Sequence, residues 1–339
     1  MADLRVLVLG GGSWGTTVAH LAAHNTPTTV WARDEAVVAA INDHHENPRY
    51  LPGLPLHESL TATTDLDAVA DTDLVVMGVP TGAFRDTCAR IAPSLRPWVP
   101  VVSLAKGFEP DTMMRMTEVA REVLPERPVG VLTGPNLAKE ILVGQPTAAV
   151  IALTELHIAR RLQDVFATPT FRVFTHHDVV GCELGGALKN VYAIAAGVVE
   201  GRNLGDNARS AIITRGLAEL IELGTRMGGE ALTLAGLAGM GDLLATCISP
   251  QSRNSTVGRA LGAGQTIEEI LDGMNQVAEG VKAAKVVKEL ATAHDVFMPI
   301  AAQVYACCWE GQTPDFAQEY LLRGRVGHER ADHSDRSSR

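Results

Sequence analysis

The strongest constraint on this chain is a glycine-punctuated junction near its start, LRVLVLGGGSWGTTVAHLAAH over residues 4–24. Leu4–Leu9, apolar but for Arg5, has the character of a strand buried on both faces. Trp14–His24 follows with helical spacing. Gly10, Gly12 and Gly15 stand between them as G-x-G-x-x-G, the spacing that turns a strand sharply into a helix. Gly10 permits the turn. Gly12 lets the backbone approach a pyrophosphate, and Gly15 lets helix and strand pack closely. Unpaired N–H groups and the positive dipole end of the helix favour an anion at this point. The reading is a dinucleotide-binding turn; a glycine turn without a ligand is the alternative.

The first half continues in the same rhythm. Strands are expected at Thr28–Ala32, Asp73–Val79, Val99–Ala105, Val129–Leu132 and Ala148–Leu153. Helices are expected at Glu35–Asp43, Gly82–Ile91 and Asp111–Val123. Asn47–Leu56 (NPRYLPGLPL) reads as a proline-rich loop. Near Asp178 the strands give way to helices: Val180–Val199, Asp206–Met227, Ser252–Leu261, Ile267–Leu271, Val281–Thr292 and Ile300–Cys308. The fold class is therefore an α/β N-terminal Rossmann-type domain with a doubly wound, mostly parallel sheet, followed by an all-α C-terminal domain. The domains are residues 1–178 for the dinucleotide and 179–324 for substrate and catalysis. The polar remainder, 325–339, is expected to be disordered.

Composition narrows the function classes. A net charge of −10 argues against a general nucleic-acid binder, although local cations can still hold a small anion. Five cysteines without a CxxC pair make neither a disulfide framework nor a zinc site, and suit a reducing cytoplasm. No uninterrupted apolar stretch has the ~18 residues of a membrane span. No metal site is expected: His176 and His177, neighbours in an extended segment, should point to opposite faces as a surface pair.

Arg33 stands at the end of the second strand, roughly 20 residues beyond the glycines, where an acid would hold the adenosine ribose. An arginine there pairs instead with the 2′-phosphate of NADP. Asp34 beside it retains the means to bind a ribose. The preferred coenzyme is thus NADP(H), with NAD(H) admissible; a surface arginine at a helix start is the alternative.

Further segments carry a resemblance. SLAKGFE (103–109), TGPNLAKE (133–140), ELGGALKNVYAIAAG (183–197), LAGMGDLLATCISPQSRN (237–254) and VAEGV (277–281), with GGGSWGT, resemble the bacterial-type NAD(P)-dependent glycerol-3-phosphate dehydrogenases. The resemblance spans Leu4 to about Leu322. It implies Lys189 as general acid/base, Lys106 as a second active-site lysine and Asp242 in the substrate site. It places Ser252, Arg253 and Asn254 at the substrate phosphate, with Gly134 and Asn136 beside the substrate. It lines the coenzyme with Ser13, Trp14, Arg33, Lys106, Ala138, Arg253, Val277 and Glu279, and it suggests a homodimer. Asn136 departs from the family's frequent serine but still offers a donor and an acceptor.

The implied chemistry suits these residue types. Interconverting dihydroxyacetone phosphate and sn-glycerol 3-phosphate needs a hydride acceptor and one group that serves as base and acid in turn. A lysine serves if its pKa is pulled down, and a second lysine and the positively charged nicotinamide are both expected to push Lys189 in that direction. Lys189 sits in an apolar, glycine-rich helix where Gly185, Gly186 and Ala187 would let a ligand approach. Asp242 and the carboxamide of Asn190 are its natural orienting partners. The phosphate suits the planar fork of Arg253 and the amide of Asn254, although Ser252 capping a helix beside a solvated Arg253 would read the same way. Two other functions stay open on sequence: a β-hydroxy acid dehydrogenase, and a non-catalytic NADPH-binding sensor.

Overall fold

The computed structural model describes residues 4–274 and 278–314. Val277 and the 325–339 tail lie outside them. The apolar runs of the first half form strands of a single sheet: β1 Val6–Leu9, β2 Thr28–Trp31, β3 Thr61–Thr63, β4 Leu74–Met77, β5 Val101–Ser103, β6 Val129–Thr133, β7 Thr147–Leu153 and β8 Phe171–His176. Their order is β3-β2-β1-β4-β5-β6-β7-β8. Val6 lies opposite Thr28 on one side and Leu74 on the other, so the chain changes direction at β1/β4, where such sheets open a ligand crevice. All pairings are parallel except β6 with β7. Because β6 runs parallel to β5, the loop after Thr133 leaves at the ligand-bearing end of the sheet, and β7 returns from there.

The helices of this half are α1 Ser13–Ala23, α2 Glu35–His44, α3 Thr81–Ile91, α4 Met116–Val123, α5 Ala138–Leu142 and α6 Leu156–Phe166. The second half comprises α7 Val179–Gly201, α8 Gly205–Arg226, α9 Ala231–Leu234, a π-turn at Leu237–Gly241, α10 Asp242–Ile248, α11 Arg253–Gly262, α12 Ile267–Asp272, α13 Glu279–Ala293 and α14 Pro299–Trp309. Helix α7 is apolar nearly all round and buried along almost its whole length, as expected of a helix at the centre of a bundle. Ala231–Ile248 has the length and mean hydropathy of a membrane span. Here it is broken into α9, the π-turn and α10, and it carries a buried Asp242.

Two features fix α7 in place. Glycines let α11 come within backbone distance: a Cβ on Gly197 would lie 2.3 Å from Ser255 O, and one on Gly258 2.1 Å from Ile194 O. At the other end, the buried Glu183 accepts from Thr117 N at 2.9 Å and from Arg115 Nη1 at 3.0 Å, tying α7 to the start of α4. Burial pushes the Glu183 carboxyl up, and Arg115 opposes that shift.

Three expectations are corrected. Helix α4 begins at Met116, not Asp111, because Phe108 bridges to Arg115 and Met113 adopts φ 59° in the intervening turn. The pattern reading passed over α6 and β8. Yet β8 alternates, with Phe171 and Val173 buried and Arg172 and Phe174 exposed. His176 and His177 do not diverge: β8 ends at His176, and the two rings stack 5.0 Å apart. They remain a surface pair, with His177 on Glu230 at 2.9 Å.

Substituting Gly258→Ala should drive its Cβ into the α7 backbone and lower stability by about 1–3 kcal/mol. The urea midpoint should fall with an unchanged slope; an unmoved midpoint would show that the helices separate freely.

Candidate active site

The site forms where α7 passes the open end of the sheet. Lys189 lies midway along α7 and is 6% exposed. A Cβ on Gly185 would lie 2.5 Å from Ala238 O, so only a glycine lets the π-turn pass this close. That turn delivers Asp242, 2% exposed, as the first residue of α10. Lys189 Nζ meets Asp242 Oδ1 at 2.8 Å. Lys106, in the loop after β5, meets Asp242 Oδ2 at 2.6 Å and Gly134 O at 3.0 Å. One buried carboxylate therefore bridges two ammonium groups, one from each half of the chain.

Burial, and then the charge of Lys189, bring the Lys106 ammonium down to a pKa of about 8, while Asp242 resists the shift. Gly186 makes room for this lysine: a Cβ there would meet Thr133 Oγ1 at 3.1 Å and Lys106 Cγ at 3.3 Å. The small residues of α7 thus admit protein neighbours, where the sequence suggested a ligand. Thr246 was missed by the sequence reading. Its hydroxyl accepts from Lys189 and donates to Asp242 O at 2.7 Å. The signal was present: DLLAT places Asp242 and Thr246 four residues apart, on one face of a helix.

Asn190 does not touch Lys189 or Asp242. Its amide donates to Lys106 O at 3.5 Å and accepts from Asn254 Nδ2 at 2.9 Å. Asn254 Oδ1 in turn accepts from Gly280 N at 2.9 Å. The Asn254 side chain, expected on the phosphate, is thus engaged within the protein. At the start of α11 the N–H groups of Arg253 and Asn254 precede the first helical bond, Thr256 N to Ser252 O at 3.0 Å. Ser252 caps this helix through Ser255 N, and Arg253 beside it is exposed.

The coenzyme end fits a dinucleotide. Gly10 has φ +128°, and a Cβ there would lie 2.6 Å from the Gly78 backbone. A Cβ on Gly15 would lie 2.0 Å from Gly10 O, whereas Gly12 faces open space. Buried polar atoms also await a partner: Trp14 Nε1, both amide atoms of Asn136 and Thr133 Oγ1 have none in the protein. Leaving such groups unmet costs about 1–3 kcal/mol each, which favours a polar ligand. Thr133 is a second residue the sequence reading missed. Ser13 opens α1, Ala138 opens α5, and Glu279, exposed, opens α13. Arg33 is exposed just beyond β2, and Asp34 caps α2 through Ala36 N at 3.0 Å. No group of metal-ligating side chains occurs among the described residues.

Comparison with known proteins shows the family. The family model "NAD-dependent glycerol-3-phosphate dehydrogenase N-terminus" matches residues 5–159, and its C-terminal counterpart matches 178–319. Glycerol-3-phosphate dehydrogenase (NAD(P)+) 2 of Sphingopyxis alaskensis is 50% identical, over 96% of this chain and 98% of that protein. Glycerol-3-phosphate dehydrogenase (NAD(P)+) of Mycobacterium avium is 50% identical, over 97% of each. The crystal structure of a glycerol-3-phosphate dehydrogenase from Coxiella burnetii superposes with a TM-score of 0.89 at 35% identity, covering 95% of this chain and 99% of that one.

The Lys106 amine should become reactive toward an acylating reagent with a midpoint near pH 8, followed by mass spectrometry. Because Asp242 holds the ammonium form, Asp242→Asn should move that midpoint lower still. A midpoint near the ordinary lysine value of ~10.4 would contradict this environment.

Proposed function

This chain belongs to the NAD-dependent glycerol-3-phosphate dehydrogenases, and on that premise we propose how its residues divide the work. It is an NAD(P)-dependent oxidoreductase that interconverts dihydroxyacetone phosphate and sn-glycerol 3-phosphate. Family membership selects this reading over the β-hydroxy acid and sensor readings.

The observation that carries the assignment of roles is the single carboxylate of Asp242 held between Lys189 and Lys106. The hydride for the carbonyl carbon would come from NAD(P)H when that coenzyme is bound. In reduction, Lys189 gives a proton to the C2 oxygen as negative charge develops there; in oxidation it takes that proton from the C2 hydroxyl. Asp242 and Thr246 fix the direction of the Lys189 amine. Lys106 places a second positive charge beside the reacting oxygen and steadies it electrostatically. The depth of the cluster keeps water from screening these charges. Gly134 and Asn136 border the substrate. The first turn of α11, with Ser252, Arg253 and the backbone of Asn254, receives the phosphate.

Gly10, Gly12, Gly15, Ser13, Trp14, Ala138, Arg253 and Glu279 hold the coenzyme; Val277, two positions before Glu279 in the sequence, shares that role by resemblance. Arg33 favours NADP(H), with NAD(H) also used. Residues 1–178 serve as the coenzyme domain and 179–324 as the substrate domain. The protein works as a cytoplasmic homodimer, in the reductive direction, to furnish the backbone of glycerophospholipids.

Steady-state assays of dihydroxyacetone phosphate with NADPH should show turnover, and the unphosphorylated ketone should react far more slowly; equal rates would remove the phosphate site. Lys189→Ala should lower kcat by ~10²–10⁴-fold while coenzyme Kd stays near that of the parent protein. Retained turnover would exclude Lys189 as the proton donor.

A further inference from the structure

The end of β2 presents a contradiction that a residue distant in sequence resolves. Arg33 suits a 2′-phosphate, yet Asp34, next to it, would repel one and accept from a free 2′-hydroxyl instead. The loop after α2 reaches this point and is pinned there. Asn47, fully buried, donates to Gly11 O and to Thr16 Oγ1, both at 2.9 Å. Ser13 Oγ donates to Tyr50 O at 3.3 Å. The loop is thus fastened to the glycine turn itself, and Arg49 projects from between these anchors. Its guanidinium pairs with Asp34 Oδ2 and lies 5.4 Å from the centre of the Tyr50 ring. Asp34 Oδ1 is already engaged by Ala36 N. Both oxygens of the carboxylate are therefore occupied by the protein.

We propose that Arg49 is a coenzyme-specificity residue: it neutralises Asp34 and holds it on the loop, so the end of β2 offers Arg33 unopposed to a phosphorylated ribose. This rests on the reading of Arg33 as the residue that meets the 2′ substituent. With Arg49 in place, Arg33, Asp34 and Arg49 sum to one positive charge; without it they sum to zero, and the carboxylate is released toward the ribose hydroxyls. The hydrogen bond from Arg49 holds the Asp34 carboxyl below its usual range, so the negative charge to be cancelled persists well into acid. The pair is solvent-exposed and contributes little to folding. Its effect is on which ribose the surface accepts.

The test is direct binding, without substrate. The full-length protein is titrated with NADPH and with NADH, following nicotinamide fluorescence, and the ratio of the two Kd values is compared across variants. Arg49→Ala should weaken NADPH and reduce the preference for it by about fivefold, the worth of one unit charge near 4 Å in water. Asp34→Asn keeps a good helix cap, and in the Arg49→Ala background it should restore the ratio. General damage to the loop would weaken both coenzymes alike and leave the ratio where it was. If Arg49→Ala leaves the ratio unchanged while Arg33→Ala shifts it, the role of Arg49 is overturned and that of Arg33 stands. If neither moves it, both are overturned. If Arg49→Ala lowers the ratio and Asp34→Asn does not restore it, Arg49 does not act through Asp34, and the proposal fails.

Discussion

Asp242 accepts from Lys189 at 2.8 Å and from Lys106 at 2.6 Å, and much of the fold serves to bring those three charges to one buried point. Two ammonium groups cannot share a dry site without an anion between them. A carboxylate with two oxygens meets that need when each oxygen faces a different lysine. Asp242 also opens α10, where the positive end of a helix favours a carboxylate. With both lysines protonated and Asp242 ionised, the cluster carries a net charge of +1, which suits the anionic substrate proposed for it.

Geometry of this kind demands that the two halves hold a fixed relation. Lys106 comes from the sheet half, Lys189 and Asp242 from the helical half. The Glu183 contacts with Arg115 and Thr117 lie six residues before Lys189 on the same helix, so they anchor α7 to the sheet half close to the lysine–aspartate cluster. The glycines at 185, 197 and 258 act in the same sense. Each removes a side chain where backbone must meet backbone, and together they give α7 a single seat.

How far this was legible in the sequence depended on whether a feature was local. The glycine turn and the doubly wound alternation could be read directly, because a buried strand and a glycine spacing are properties of neighbouring residues. Lys189 stood out because a lysine in a glycine-rich apolar helix has few bland explanations. What stayed hidden was pairing at a distance. The i, i+4 relation of Asp242 and Thr246 was visible in principle, but its meaning depended on α7 lying opposite. Asn254 read as a phosphate donor by resemblance and for its amide; its side chain joins Asn190 to Gly280, contacts set by packing and not by spacing. The helix expected from Asp111 failed for a similar reason: the bridge between Phe108 and Arg115 overrides local propensity.

The environment of Lys106 bears on how the cluster holds its charge. The Lys106 ammonium is destabilised chiefly by burial; Asp242 opposes that shift and Lys189 adds to it. Lys106 also contacts Gly134 O, at the loop that carries the unpartnered amide of Asn136. On the proposed roles, an anionic substrate entering beside that loop would favour the charged form of Lys106.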